Sequence, residues 1–251
     1  MSDQLEGRNA VKEALKGNRD IYEIFMLTSG KEQGLQEIQQ LAKRRKISIR
    51  EVDRRQLDQM SRTGHHQGVI ASVPVYAYAS LEDIISTGKQ LNEPLILLLD
   101  GVEDPHNLGS VLRSAEVFGA TGLVIPKRRA VGVTPTVAKV ASGALEHIPV
   151  AQVPNMTDAI KTLKKEGFWI AGGDGTSPIR VMKQELTGPL GVVIGSEGKG
   201  ISRLVREQCD FLVSIPMAGT TGSLNASVAA GILLYEIFRQ RSRGEETEEA
   251  R

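Results

Sequence analysis

Apolar positions along the chain switch repeatedly between a helical and a strand period. Ala10, Val11, Ala14 and Leu15 share one face of a helix expected over residues 8–15. Residues 22–27 read as a short strand. Leu35, Ile38, Leu41 and Ala42 line the apolar side of a helix over 32–45. Residues 47–52 alternate with period two. Asp53 is placed as the N-cap of a short helix ending at Met60, and 69–75 is a further strand that contains Pro74. This pattern predicts an α/β/α unit over 1–75, near the lower end of independent domain size. Residues 76–93 read as a linker or connecting helix. Ala79-Ser80-Leu81-Glu82-Asp83 resembles a helix start, and Gly88 and Pro94 punctuate its end.

From Pro94 onward the strands become more apolar. Residues 95–99 are one continuous apolar run, as expected of a strand buried on both faces of a parallel sheet. Further strands are expected at 123–125, 148–153, 168–171, 190–194 and 211–215. Helices fit over 110–118, 135–144, 156–166, 202–208 and 223–241. Strands alternating with helices predict a mostly parallel, doubly wound α/β domain over 94–243.

Net charge does little to name a partner, because Lys and Arg total 31 and Asp and Glu total 30. The last eight residues carry a net −3, which leaves +4 on the rest. Residues 244–251 therefore read as an acidic, disordered tail. The basic run Lys43-Arg44-Arg45-Lys46 reads as a solvated helix end in preference to an RNA contact. The single cysteine, Cys209, excludes a disulfide framework or a zinc cluster and reads as a buried structural thiol. No apolar stretch reaches transmembrane length, and the N-terminus lacks the apolar core of a signal peptide. A cytoplasmic protein with no membrane partner is expected.

Three segments place polar or glycine positions just after apolar runs. They are Asn107-Leu108-Gly109-Ser110-Val111-Leu112-Arg113, Ile194-Gly195-Ser196-Glu197-Gly198-Lys199-Gly200, and Ile215-Pro216-Met217 followed by Ser223-Leu224-Asn225. In an open α/β sheet, ligands bind outside the carboxyl ends of strands, so three such loops imply one composite site. Asn107 and Gly109 are expected to shape the first turn. Arg113, expected in the first turn of the helix, suits a phosphate but equally suits a pair with Glu116. The glycines around Glu197 allow close backbone approach, and a plain glycine-rich connection gives the same pattern. Ser223 suits an N-cap. Asn225 in the first helical turn is harder to explain by propensity. Neither a phosphate-binding P-loop nor a dinucleotide fingerprint is present in the glycine-rich segment. There is no nucleophile elbow or histidine-rich metal set, and His65, His66, His106 and His147 are scattered.

In order, these three segments resemble the motifs of the SpoU (TrmH-type) branch of SPOUT RNA 2′-O-methyltransferases, over roughly residues 94–243. The first unit resembles the ribosomal-protein-L30e-like substrate-binding domain fused to many members. Residues 6–15 and His66-Gln67-Gly68-Val69 resemble the subgroup that methylates a guanosine ribose in 23S rRNA; a tRNA ribose as the target, and a non-catalytic RNA-binding or ribosome-assembly factor, are the alternatives. The resemblance implies a trefoil-knotted methyltransferase domain, S-adenosylmethionine as cofactor and a homodimer whose sites are finished by the partner chain. The long final helix is a candidate for that interface.

The resemblance also distributes roles. Arg113 is implied beside the ribose hydroxyl and its phosphate, with Asn107, Glu197, Ser223 and Asn225 holding it and the nucleotide. Gly195, Ile215 and Leu224 are implied around the cofactor, with Ser196, Gly198, Met217 and Ala226 nearby. Gly172, in the run Gly172-Gly173-Asp174-Gly175-Thr176, is expected to add a further wall. No metal is required. Arg8, Asn9, His65, His66 and Gln67 are candidates for RNA contact, with turn or cap roles as the alternative.

Overall fold

The computed structural model describes residues 2–17, 19–28, 33–220 and 222–249. Glu32, expected to open the second helix, and the final residues 250–251 of the tail lie outside them. In chain order the first elements are β1 (Ser2–Glu6), α1 (Arg8–Lys16), β2 (Glu23–Leu27), α2 (Gln33–Arg44), β3 (Ile49–Val52), α3 (Arg54–Met60), β4 (Val69–Pro74) and α4 (Leu81–Gly88). They are followed by β5 (Leu95–Asp100), α5 (Pro105–Val117), β6 (Gly122–Pro126), α6 (Pro135–Val140), β7 (Val150–Val153), α7 (Met156–Lys165) and β8 (Trp169–Gly173). The last are β9 (Leu190–Gly195), α8 (Arg203–Arg206), β10 (Phe211–Val213) and α9 (Ala226–Glu249).

The chain forms two compact units, one of residues 1–77 with 133–147, the other of 78–132 with 148–251. The first holds a four-stranded sheet ordered β1-β4-β2-β3. β4 runs antiparallel to β1 and β2, while β2 and β3 are parallel. Ala10, Val11, Ala14 and Leu15 of α1 are buried as their spacing predicts. Asp53 caps α3 in a reciprocal capping box with Gln56. β1 escaped the pattern reading because a five-residue strand carrying Asp3, Gln4 and Glu6 shows little apolar signal. Residues 133–147 were expected within the second unit. They group instead with the first, where α6 packs on β1 and the Lys139 ammonium donates to the Thr63 hydroxyl at 3.1 Å.

Buried Glu6 organises a loop of this unit. Its carboxylate accepts from the Ser61 hydroxyl at 2.6 Å, the Arg62 amide at 2.6 Å, and the Thr63 hydroxyl and Gln4 amide. Burial raises its pKa, but the donors from Ser61, Thr63, Arg62 and Gln4 outweigh burial and hold it below the ordinary value. The basic run at 43–46 is partly structural. The Arg45 guanidinium donates to the carbonyls of Ala14, Gly17 and Arg19, closing the C-terminal end of α1.

The second unit holds a six-stranded sheet ordered β10-β8-β9-β5-β6-β7, with every pairing parallel. Leu95–Leu99 is buried throughout. Full burial of one such side chain is worth about 1.5–3 kcal/mol relative to exposure, so this strand anchors the sheet. Residues 76–93 are not merely a linker. Ser80 and Asp83 form a capping box on α4, and Leu81, Ile84 and Ile85 enter the core against β5 and α7 residues. Cys209 is half-buried against that core, as expected of a structural thiol. Burial, followed by the Asp210 charge, pushes its thiol up to about 12.

Two boundaries correct the sequence reading. α5 begins at Pro105, not at 110, because Asp104 caps it and proline occupies its first turn. α9 continues to Glu249, so the acidic stretch is helical that far. Glu and Arg are good helix formers, and a helix already nucleated and packed extends readily through them. Among the described residues, no helix is long and apolar enough to cross a membrane.

Candidate active site

The strand order reverses beside β5. From β5 the chain steps outward through β6 and β7, then returns on the other side with β8, β9 and β10. The loops leaving β5 and β9 therefore diverge, opening a crevice at their carboxyl ends. Asn107, Glu197 and Asn225 meet there. Asn107 is buried in the first turns of α5, and its amide donates to Glu197 Oε1 at 3.0 Å. The Asn225 amide donates to Asn107 Oδ1 at 2.9 Å and also to Glu197 Oε1.

Asn225 has a second task. Its Oδ1 accepts from the amides of Ser227 at 3.0 Å and Val228 at 3.3 Å, which makes it the N-cap of α9. This corrects the assignment of the cap to Ser223 and explains an asparagine at this position. The Ala226 amide adds a donor to Glu197 Oε1 at 3.3 Å. A carboxylate facing a helix N-terminus is favoured by the exposed N–H groups and the helix dipole.

Beside this cluster lies a cavity of about 530 Å³. Gly195, Ser196, Glu197, Gly198, Ile215, Met217, Ser223, Leu224 and Ala226, all expected in the composite site, line it. Gly195 is irreplaceable on steric grounds: a Cβ there would lie 2.0 Å from the Gly200 carbonyl carbon. The chain folds back on itself between the paired Ser196 and Gly200.

Gly172 does not line the cavity. A Cβ there would point at Leu212, Cys209 and Ile201, into the core. Because strand side chains alternate, the cavity wall is made by its neighbour Gly173 and then by Asp174, Gly175 and Thr176. Asp174 accepts from the Thr176 amide at 2.8 Å and hydroxyl at 2.7 Å, and pairs with Arg206 at 3.1 Å. Burial raises its pKa, but the Thr176 donors and the Arg206 charge outweigh it and hold the carboxyl below the usual range. The Asp-Gly-Thr turn after a strand was the available sequence signal. Arg206, brought in by α8, had none.

Arg113 is not in the cavity. It stands in the third turn of α5, six residues beyond Asn107, which is about 9 Å along the axis and about 240° around it. It is exposed, and among the described residues neither Glu116 nor any other acid pairs with it. Its helical neighbour Val117 is 64% exposed. Phe118 follows and packs edge-on against Tyr235 of α9, with ring centroids 6.0 Å apart. Val228, Ile232, Tyr235 and Phe238 continue an exposed apolar stripe along α9.

The RNA candidates of the first unit separate into two groups. Asn9 and His65 are exposed. His66 is buried: its Nδ1 accepts from the Gly68 amide at 3.0 Å, which leaves Nε2 to donate to Asp58 at 2.9 Å. This is a turn-forming role and removes His66 from the contact set. Gln67 adopts a positive φ of 51°, and its Oε1 accepts from the Arg8 amide at 3.0 Å, capping α1 from outside. The Arg8 side chain in turn donates to the Gln67 carbonyl at 3.0 Å.

A glycine-rich crevice at the switch point of a parallel sheet, in a chain that also carries a small mixed-sheet unit, defines a two-unit α/β protein with a ligand site at the carboxyl ends of its strands. The chain belongs to the SpoU methylase family. Residues 94–235 match the SpoU rRNA methylase family and residues 4–79 match the RNA 2′-O ribose methyltransferase substrate-binding domain. It is 50% identical over 241 residues to the putative TrmH family tRNA/rRNA methyltransferase YacO of Bacillus subtilis, covering 96% of each chain. A putative TrmH family tRNA/rRNA methyltransferase of Staphylococcus saprophyticus is 45% identical over 237 residues, 94% of this chain and 95% of that one. The crystal structure of the SpoU methyltransferase AviRb from Streptomyces viridochromogenes, in complex with AdoMet, superposes with a TM-score of 0.81 at 26% identity. That match covers 96% of this chain and 90% of AviRb.

Proposed function

We propose that this protein transfers a methyl group from S-adenosylmethionine to a ribose 2′-hydroxyl in RNA, with a guanosine of 23S rRNA as the target. The observation that carries the reading is the Asn107–Glu197–Asn225 cluster at the edge of a glycine-walled cavity. The cofactor named for AviRb suits the residues present. Ile215, Leu224 and Leu233 offer an apolar wall to a flat base, Asp174 offers a carboxylate to a cationic or hydroxyl group, and the glycines leave backbone groups accessible. When bound, it supplies an electrophilic methyl on a sulfonium. Binding would involve Gly195, Ser196, Gly198, Ile215, Met217, Leu224 and Ala226. The knotted threading implied by the family resemblance is part of this reading.

A ribose hydroxyl is a poor nucleophile at neutral pH and needs orientation and proton removal. Glu197 is held by three donors on one oxygen, so its other oxygen is positioned to receive a hydrogen bond from a substrate hydroxyl. Asn107 and Asn225 fix that carboxylate, and Ser223 lines the entry. Arg113 engages the phosphate beside the target ribose. A guanidinium is a very weak base, so charge placement is its main contribution.

The position of Arg113 supports a homodimer. It borders the exposed apolar face of α5 and α9, and faces of this kind mark protein interfaces. In the dimer we propose, two such faces pair about a twofold axis and Arg113 of one chain completes the cavity of the other. The first unit binds the RNA, with Asn9 and His65 exposed for contact. The enzyme acts in the cytoplasm.

The test is incubation of the full chain with labelled S-adenosylmethionine and, separately, unmodified 23S rRNA, 16S rRNA and tRNA. Label recovered as 2′-O-methylguanosine in 23S rRNA is the expected result. Label in tRNA would move the substrate and keep the chemistry. No label and no cofactor binding would overturn the reading.

A further inference from the structure

We propose that Lys127, Arg128 and Arg129 form a preorganised clamp for the phosphate backbone of the RNA beside the methylated nucleotide. This deepens the proposed function and rests on it for the identity of the polyanion. The three cations follow β6, at the same carboxyl edge as the crevice and one strand from β5. All three are exposed, and among the described residues none forms a hydrogen bond or ion pair through its side chain. Elsewhere many cations are matched: Lys12 with Glu37, Arg50 with Glu23, Lys89 with Glu166, Lys164 with Asp210. Among the described residues, neither Glu103 nor Asp104 of the neighbouring turn forms an ion pair with the run. Asp104 is occupied as the cap of α5.

The backbone beneath these side chains is fixed at both ends. The Lys127 amide donates to the Val153 carbonyl at 2.8 Å, and the Val131 amide donates to the Val102 carbonyl at 3.0 Å. Arg129 itself holds a φ of 58°, in the left-handed region that a non-glycine residue adopts seldom. Its carbonyl packs over Gly101, where an added Cβ would lie 3.8 Å from that oxygen and 3.7 Å from Ser196 Cβ. Ser196 lines the cavity. The loop is therefore one residue layer behind the cavity wall, with a rigid backbone and three unneutralised charges. A surface of this kind binds phosphates without having to order its backbone and without reading sequence.

The experiment measures binding of transcribed, unmodified 23S rRNA to the full chain across a salt series, with S-adenosylmethionine affinity measured in parallel. The variants are K127Q/R128Q and the charge-keeping K127R/R128K. K127Q/R128Q is expected to weaken RNA binding about tenfold at moderate salt and to flatten the log–log salt slope by about 1 to 1.5, two contacts at about 0.7 each. Cofactor affinity stays at the wild-type value, and K127R/R128K binds RNA as wild type does. An unchanged slope in K127Q/R128Q overturns the clamp. So does an equal loss in K127R/R128K, which would make the loop a structural element. The readout is independent of turnover. A loop-dependent slope without methyl transfer keeps the clamp and removes the proposed function, whereas methyl transfer with an unchanged slope does the reverse.

Discussion

The amide of Asn225 donates to the side-chain oxygen of Asn107 at 2.9 Å, joining residues 118 positions apart in sequence. That bond couples the start of α9 to the first turns of α5. It also locks the orientation of both amides, because each has its other group committed: Asn107 to Glu197 and Asn225 to the amides of α9. The carboxylate of Glu197 is thereby held in one place before any ligand arrives, which is what electrostatic preorganisation requires.

Asn225→Asp separates the two roles of this residue. The carboxylate still caps α9, so the helix start is kept, and the lost donors to Asn107 and Glu197 should lower stability in urea by about 1–3 kcal/mol. It replaces a donor with a like charge facing Glu197, and single-turnover methylation should fall by at least about tenfold, the equivalent of one lost hydrogen bond. Equal turnover in wild type and variant would remove the cluster from the catalytic machinery.

Arg113 and Glu197 should complement between subunits. In the homodimer proposed above, the Arg113→Ala and Glu197→Ala proteins are each expected to be inactive, with cofactor binding kept in the first case. Mixed by co-refolding, they should regain activity, because one site of each mixed dimer then has both residues. No recovery, with mixed dimers verified by mass, would place Arg113 on its own chain's site.

Gly195→Ala and Gly172→Ala should differ sharply. The first puts a methyl 2.0 Å from backbone at Gly200, so the cavity wall must move and calorimetric binding of S-adenosylmethionine should be lost. The second meets the Leu212 side chain at 2.6 Å inside the core, and overpacking of that kind costs about 1–3 kcal/mol of stability. Its cofactor affinity should remain near wild type.

Glu6→Gln tests the buried carboxylate of the first unit. The Glu6 pKa is lowered on folding, so its contribution to stability is fully present above the ordinary value of 4.5 and is lost as pH falls through the folded value. Wild type should therefore exceed the variant by a constant margin between neutral pH and about pH 5.5, with the margin closing in more acid solution. Urea midpoints of the two proteins across that range give the comparison. A margin that widens toward acid would contradict the lowered pKa.

Cys209 should resist alkylation. With its thiol pushed up to about 12 by burial and by Asp210, the thiolate is scarce at pH 8. Iodoacetamide should label it only after denaturation, as read by intact mass. Rapid labelling of the folded protein would show that the core around Val205 and Ile201 opens.

Much of this architecture was legible from residue order. The continuous Leu95–Leu99 run, the helical spacing of α1 and α2, and the three polar segments at strand ends each follow from local chemistry: a period of apolar residues, a cap, a glycine. Local chemistry also contained the Asp104-Pro105 start of α5 and the cap at Asn225, although both were displaced by a few residues in the reading of the pattern. The tertiary structure decided the rest. Strand order put the β9 loop beside the β5 loop and so brought Glu197 to Asn107. The pleat of β8 turned Gly172 inward and gave the cavity Gly173. Helical rotation placed Arg113 on the outer face of α5, and packing on β1 drew residues 133–147 into the first unit. Sequence periodicity reports which face of an element is apolar. It does not encode which other element that face meets, because that choice is made by burial summed over contacts distant in the chain.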